Sequence, residues 1–365
     1  MQHNIGTAIS NKIRFDILDA SKFVTFKLAE VSYIQSPRRA AKSRLLYLRF
    51  RVRATNVSKL RISVVQYLNT APLVRGFTHG PLRNKYDLSF TVPSQCAEAL
   101  RADDVDVAII PAIEYQRIPG LTILPGLAIA SKERVRSLLL LSKVPIRQAR
   151  HIALDRSSRS TQALVKILAA RRWQITPEFF EADLDAVSMF NNADAALIIG
   201  DTALRIAIAA ENSVKRGPEG EWLSTGSTAG LPGVGELHIY DVVKEWWHLT
   251  EKPAVLAVWA ARTEVVTPEL TADFLASRDF GLRQLPEICA EAALQMHLPE
   301  PELRLYLEKN IDYGLDDENL QGLLRFFHES QAQNLIGPLQ SVAIAAGPNS
   351  HARFMDFVYA SKSAV

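Results

Sequence analysis

The stretch RISVVQYLNTAPLVRG, residues 61–76, decides how this chain is read. Residues 62–67 form a short β-type run, the polar turn Leu68-Asn69-Thr70-Ala71-Pro72 breaks it, and an apolar segment follows. Open α/β sheets bind their ligands in the crevice beyond the carboxyl ends of parallel strands, where such a turn would sit. Asn69 takes that position, and Pro72 falls where the first turn of a helix tolerates a residue without an N–H. The pattern predicts a buried strand, a ligand-facing turn and a helix, with the rest of the chain completing a cleft around the turn.

Working outward, strands alternate with helices from residue 60, which implies a largely parallel α/β sheet. Residues 88–92 read as a strand, and Pro93-Ser94-Gln95 opens a helix to about Arg101 with Ser94 as its N-cap. Residues 105–110, VDVAII, read as a buried strand; 121–125 lead to a turn at Gly126, and 135–142 form another apolar run. The same grammar then returns: a strand at 151–154, a polar turn at 155–161, a helix at 162–172, and a buried strand at 195–199 ending in Gly200-Asp201. The echo between VPSQCAEAL…DVDVAIIP and DRSSRSTQAL…NADAALIIG predicts two similar α/β lobes.

Residues 211–236 are rich in Gly, Ser and Pro and read as a long flexible loop. Their glycines precede a strand instead of following one, unlike a dinucleotide-binding fingerprint. Residues 254–260 read as a strand crossing back to the first lobe. Four helices at 268–276, 285–296, 301–308 and 317–329 supply core or lobe-capping residues. The expected organisation is a basic extension over 1–58, lobe 1 over 59–146 plus 253–335, lobe 2 over 147–252, and a tail over 336–365. Crossings are expected near 143–147 and 252–258.

Composition narrows the function. The chain's 365 residues, 48% of them hydrophobic, suffice for two lobes. Cys96 and Cys289 are the only cysteines, far apart and in no metal-type spacing, which fits a reducing cytoplasm. No run reaches the roughly 18 apolar residues of a membrane span. Residues 1–58 carry 11 Lys/Arg against 3 Asp/Glu, a net of +8, leaving 31 against 36, a net of −5, elsewhere. All the basic excess lies in the leader, so a nucleic-acid partner is not expected for the main body. The leader has no secretory pattern; it reads as a mispredicted upstream start or a disordered basic tail, with a small docking element as the third account.

No G-x-S-x-G, H-E-x-x-H, P-loop or Cys/His cluster is present. The eight histidines are scattered and read as structural. Glu114 and Asp201 follow buried strands and read either as ligand contacts or as caps and interlobe hydrogen bonds. The hydroxyl-rich turns are more informative. Ser94 and the run Ser157, Ser158, Arg159, Ser160, Thr161 combine backbone N–H groups, hydroxyls and a guanidinium fork, which suits a small dianion.

The phrases VVQYLNTAPLV, LRADDVDVAIIPAIEY, ILPGLAIASKERVRSLLLLSK, ALDRSSRST, AALIIGDTAL, YDVVKEWWHLT…AVLAVWA and NIDYGLDDENLQGLLRFF occur in this order over about residues 60–335. Together they resemble the chorismate dehydratase family of the futalosine route to menaquinone. The resemblance implies a two-lobed fold like that of type 2 periplasmic binding proteins, with the cleft between the lobes. It implies loss of water from chorismate, a dicarboxylate, to give 3-(1-carboxyvinyloxy)benzoate. No metal or other cofactor is expected, because aromatisation drives the reaction. The resemblance also implies that the substrate's own enolpyruvyl carboxylate takes the proton. By position in the matching motifs, Asn69 and Ser137 are the expected catalytic residues. Tyr67, Thr70, Ser94, Gln95, Ser157, Ser158, Arg159, Ser160, Thr161 and Asp201 are the expected substrate contacts.

The chain departs from the family pattern at Val243-Lys244, at Glu251-Lys252-Pro253-Ala254, in the 211–236 loop and in the leader. The alternative reading is a non-catalytic carboxylate-binding protein on the same scaffold, which fold alone does not separate from an enzyme. The leader shows neither an export signal nor a lipid-anchor cysteine, against transport duty. It also lacks a helix-turn-helix pattern, against a regulator's effector domain.

Overall fold

The computed structural model describes residues 59–355 apart from 184, 186, 212–214, 218, 219, 232 and 348–350. The basic leader 1–58 and the end of the expected tail, 356–365, lie outside the described residues.

β1 (Arg61–Val65) is buried at every position after Arg61, and a single turn at Leu68–Thr70 leads to α1 (Ala71–Thr78). β2 (Asp87–Thr91) pairs parallel with one edge of β1. After α2 (Pro93–Arg101), β3 (Val107–Pro111) pairs parallel with the other edge. A short α3 (Ala112–Tyr115) and β4 (Leu121–Ser131) complete this pass.

The chain then enters a second sheet: β5 (Leu138–Ser142), β6 (His151–Asp155), α4 (Arg159–Leu168), β7 (Glu178–Ala182), β8 (Ala195–Ile199), α5 (Gly200–Glu211), β9 (Trp222–Thr225), β10 (Glu236–Asp241) and α6 (Val242–Thr250). It returns as β11 (Ala254–Arg262), which lies between β3 and β4, antiparallel to both. α7 (Pro268–Arg283), α8 (Leu285–Met296), α9 (Glu300–Leu305), α10 (Asp317–Ala332), β12 (Val342–Ile344) and β13 (Arg353–Met355) follow. The seven-stranded sheet has the order β13-β12-β4-β11-β3-β1-β2 and the six-stranded sheet β7-β6-β8-β5-β10-β9. The runs VAIIP, LLLLS and AALII are buried at every position, as strands covered on both faces must be. Two α/β lobes joined by two crossings make this a two-lobed fold of the periplasmic-binding-protein kind.

Several details differ from the sequence reading. The first crossing occupies 132–137, not 143–147, because β5 joins the second sheet through β8 and β10. An apolar run names a buried strand without naming its sheet. Gly126 does not end a strand: it sits at φ +67° inside the eleven-residue β4, where the register against β11 shifts. That is a bulge. The 211–236 segment is not all loop, since β9 pairs antiparallel with β10 at the sheet edge. Trp222 of β9 is buried under the guanidinium groups of Arg134 and Arg216, each within 4.7 Å of its ring centre. Ser94 is not the cap of α2; Val92 is, with Pro93 in the first turn.

Two features fix the geometry near the crossings. A methyl group on Gly281 of α7 would fall 1.9 Å from the Pro72 carbonyl oxygen, so α1 and α7 touch backbone to backbone. The buried Asp241 carboxylate accepts from Val135 N (3.0 Å) and Arg136 N (2.7 Å) in the first crossing, and from Val243 N (3.0 Å) and Lys244 N (3.1 Å) at the start of α6. One side chain thereby caps α6 and grips the chain between the sheets.

Candidate active site

The turn after β1, the end of the first crossing and the start of α4 meet in a cavity of about 60 Å³ between the two sheets. From the first sheet come Val65, Tyr67, Asn69, Thr70, Pro93, Ile109, Pro111, Ile129, Leu256 and Ala257. The second contributes Ser137, Leu138, Ser158, Ser160, Thr161, Ile199 and Gly200. An engineered cavity of about 150 Å³ is what benzene needs, so a ring bearing two carboxylates enters only if the lobes part.

Among the described residues, no charged side chain lines the space. Positive potential comes from the backbone instead: α1, α4 and α5 all begin at the cavity. Ala71 N donates to the Leu68 carbonyl, Pro72 has no N–H, and Gly200 N donates to the Ser137 carbonyl, but the first turn of α4 presents N–H groups without intrahelical acceptors. The parallel strand-turn-helix connections place these helix starts on one side of each sheet. Apolar walls from Ile109, Ile129, Leu138, Ile199 and Leu256 keep the dielectric low, which strengthens every dipole aimed inward.

Seven of the twelve expected site residues line this cavity: Asn69, Ser137, Tyr67, Thr70, Ser158, Ser160 and Thr161. Asn69 is half-buried, and its Oδ1 accepts from Thr70 Oγ1 at 3.3 Å. Ser137 is buried, with its hydroxyl 2.9 Å from Tyr306 Oη and its carbonyl accepting from Gly200 N at 2.8 Å. Burial pushes the Tyr67 phenol up to about 12, against a hydrogen bond with Ser157 that favours the ionised form. Gly200 is required here: at φ +67° it opens α5, and a Cβ would lie 2.7 Å from the Tyr67 ring.

The other five residues sit in the seam around the cavity. Ser94 N donates to the Ser157 carbonyl at 3.1 Å, and Ser157 N and Oγ each donate to Asp155 Oδ1 at 2.8 Å. Gln95 is exposed and accepts from Thr91. Asp201 accepts from Leu68 N at 3.1 Å, and burial raises its carboxyl above the usual range. Arg159 does not line the cavity. Its Nη2 lies 2.5 Å from Glu98 and its Nη1 3.0 Å from Glu114, both in the first lobe. Glu114 is fully buried and also pairs with Arg101 and Arg117, so it is an interlobe anchor facing away from the cavity. With Ile113 N donating to Ser160 Oγ at 3.2 Å, these bonds stitch the lobes together.

Sequence reasoning missed Gly200 as a cavity wall and Tyr306 as the partner of Ser137. Tyr306 sits in LRLYLEKN among other helix formers, with no spacing that sets it apart from a core aromatic.

A two-lobed protein with an interlobe cavity lined by hydroxyls, an amide and helix N-termini has the architecture of the periplasmic-binding-protein fold. A family model described as menaquinone biosynthesis matches residues 60–332, and the chain belongs to that family. It is similar to a protein of Thermus thermophilus named chorismate dehydratase, 28% identical over 274 residues, or 73% of this chain and 93% of the relative. Among solved structures it resembles protein AF1704 of Archaeoglobus fulgidus, with TM-score 0.58 and 16% identity over 77% of this chain and 100% of that one. It also resembles CAE31940 of Bordetella bronchiseptica, with TM-score 0.52 and 13% identity over 77% and 90%. At these identities the two structures speak for the fold alone.

Proposed function

We propose that this protein is a chorismate dehydratase, a hydro-lyase of menaquinone biosynthesis that acts without a cofactor. One observation carries the reading: Asn69, Ser137, Ser158, Ser160 and Thr161, all residues the sequence reading singled out, line a single cavity at three helix starts. Such a cavity favours a dianion through dipoles and hydroxyls. Among the described residues lining it there is no histidine or carboxylate to serve as a general base.

That lack matches a reaction in which the substrate supplies the base. The C3 proton passes to the substrate's own enolpyruvyl carboxylate, the C3–H electron pair becomes the new ring double bond, and the C4–O bond breaks. The hydroxide leaves with a proton as water, and the ring becomes aromatic. The protein's part is to hold the carboxylate over C3 and to stabilise charge as it develops. In this assignment Asn69 holds the leaving hydroxyl or the reacting carboxylate, and Ser137 donates to the ring carboxylate as its charge grows. Ser158, Ser160, Thr161 and the first N–H groups of α4 hold the second anionic arm. Closure around the ring excludes water and strengthens these contacts.

The test is to incubate the full-length protein with chorismate and no added cofactor, following the product by absorbance and mass. The expected product is aromatic and lighter by one water. No turnover, with a thermal shift from aromatic dicarboxylates, would leave a carboxylate binder on the same scaffold.

A further inference from the structure

The contacts behind Ser137 assign a role to a residue that does not reach the cavity. Tyr306 follows α9 where the helix widens, its carbonyl accepting from Ile311 N at 3.2 Å across an i to i+5 turn. Such π-type turns occur often at functional sites. The side chain is 1% exposed, and its Oη donates to Ser137 Oγ at 2.9 Å. One turn earlier, Glu302 Oε2 accepts from Arg136 Nη2 at 2.6 Å, and the Arg136 side chain is also buried. Two residues of the α9 segment thus grip two consecutive residues of the first crossing.

We propose that Tyr306 is a positioning residue of this site, donating to Ser137 Oγ so that the serine's own hydrogen is directed to the anion in the cavity. A serine hydroxyl has one hydrogen and two lone pairs. With one lone pair occupied by Tyr306, the rotor loses its freedom and the hydrogen turns toward the cavity that Ser137 lines. The phenol is suited to this duty. Burial raises it above its ordinary value, outweighing the opposite effects of Ser137 and Asn69, which favours the protonated, donating form.

This inference rests on the dehydratase reading, and the experiment separates the two. Chorismate turnover is measured for the wild-type protein, Tyr306→Phe, Ser137→Ala and the double variant, with a thermal melt of each. Y306F keeps the ring and its packing. Its kcat is expected to fall on the order of 10-fold or more with KM changed less than about twofold, the pattern of a contact that matters in the transition state. In the S137A background the same change is expected to cost nothing further, because the hydroxyl it orients is gone. Equal losses in both backgrounds would make Tyr306 merely structural and overturn the inference, as would full activity of Y306F. A wild-type protein that does not consume chorismate overturns the dehydratase reading and this inference with it.

Discussion

Removing the Arg159 guanidinium tests whether this side chain latches the lobes or binds substrate. Its two partners lie across the cleft: Glu98, half-exposed, at 2.5 Å, and Glu114, fully buried, at 3.0 Å. A hydrogen bond to a buried charged group is worth about 1.5–3 kcal/mol. The pair with Glu98 is solvent-screened and adds about 0.5 kcal/mol. Stranding a buried charge would cost about 3–5 kcal/mol, but Glu114 keeps Arg101 and Arg117, so that larger penalty does not arise. Arg159→Ala should therefore shift the closed-to-open ratio of the lobes by about 2–3.5 kcal/mol. At about 1.4 kcal/mol per decade, that is a change of roughly 30- to 300-fold toward the open form. Small-angle scattering of the substrate-free protein is expected to show a larger radius of gyration for R159A than for wild type. Glu98→Gln should move it the same way by less. An unchanged scattering profile in both variants, with KM for chorismate raised by R159A alone, would refute the latch and return Arg159 to the substrate.

Four further outcomes are expected. Asn69→Ala should cut turnover by about 100-fold or more while leaving the melting temperature within a few degrees, because Asn69 is half-buried and takes little part in packing. Gly200→Ala combines a left-handed backbone, costing about 1–2 kcal/mol, with a clash against Tyr67, so both thermal stability and chorismate affinity should fall. Gly281→Ala should cost about 1–3 kcal/mol by forcing α7 off Pro72, and activity should drop with it because α1 carries the Asn69 turn. The Glu98 carboxyl is held below its usual range first by Arg101 and then by Arg159. Its contribution to closure is complete above the ordinary carboxyl value and is lost as pH falls through the lowered one. Scattering should therefore show expansion at acid pH that E98Q no longer displays.

Much of this was legible in local pattern. Strands buried on both faces announce themselves as unbroken apolar runs, and 107–111, 138–142 and 195–199 all do so. The density of hydroxyls at 157–161 made that turn visible as a place where the cleft would be lined, and Ser158, Ser160 and Thr161 do line it. Long-range choices were not legible. Nothing in LLLLS says which sheet it joins, and the spacing of YLEKN does not reveal that Tyr306 meets a serine 169 residues away. The sequence could not show what Arg159 meets, because a guanidinium suits a protein carboxylate as well as a ligand's. Its partners Glu98 and Glu114 arrive from the other lobe.

The place of β11 in the first sheet has a consequence for how the chain is made. Residues 138–241 contain every strand of the second sheet, whereas β3 and β4 can pair with the first sheet's central strand only once 254–262 exist. A ribosome adding about 5–20 residues per second emits the 131 residues from the end of β4 to the end of β11 in roughly 7–26 s. During that interval the inserted lobe can complete its sheet, while β3 and β4 stand with open edges that invite wrong pairing. The insertion acts as a delay line in biogenesis: its length sets how long the first lobe waits, half built, for its middle strand.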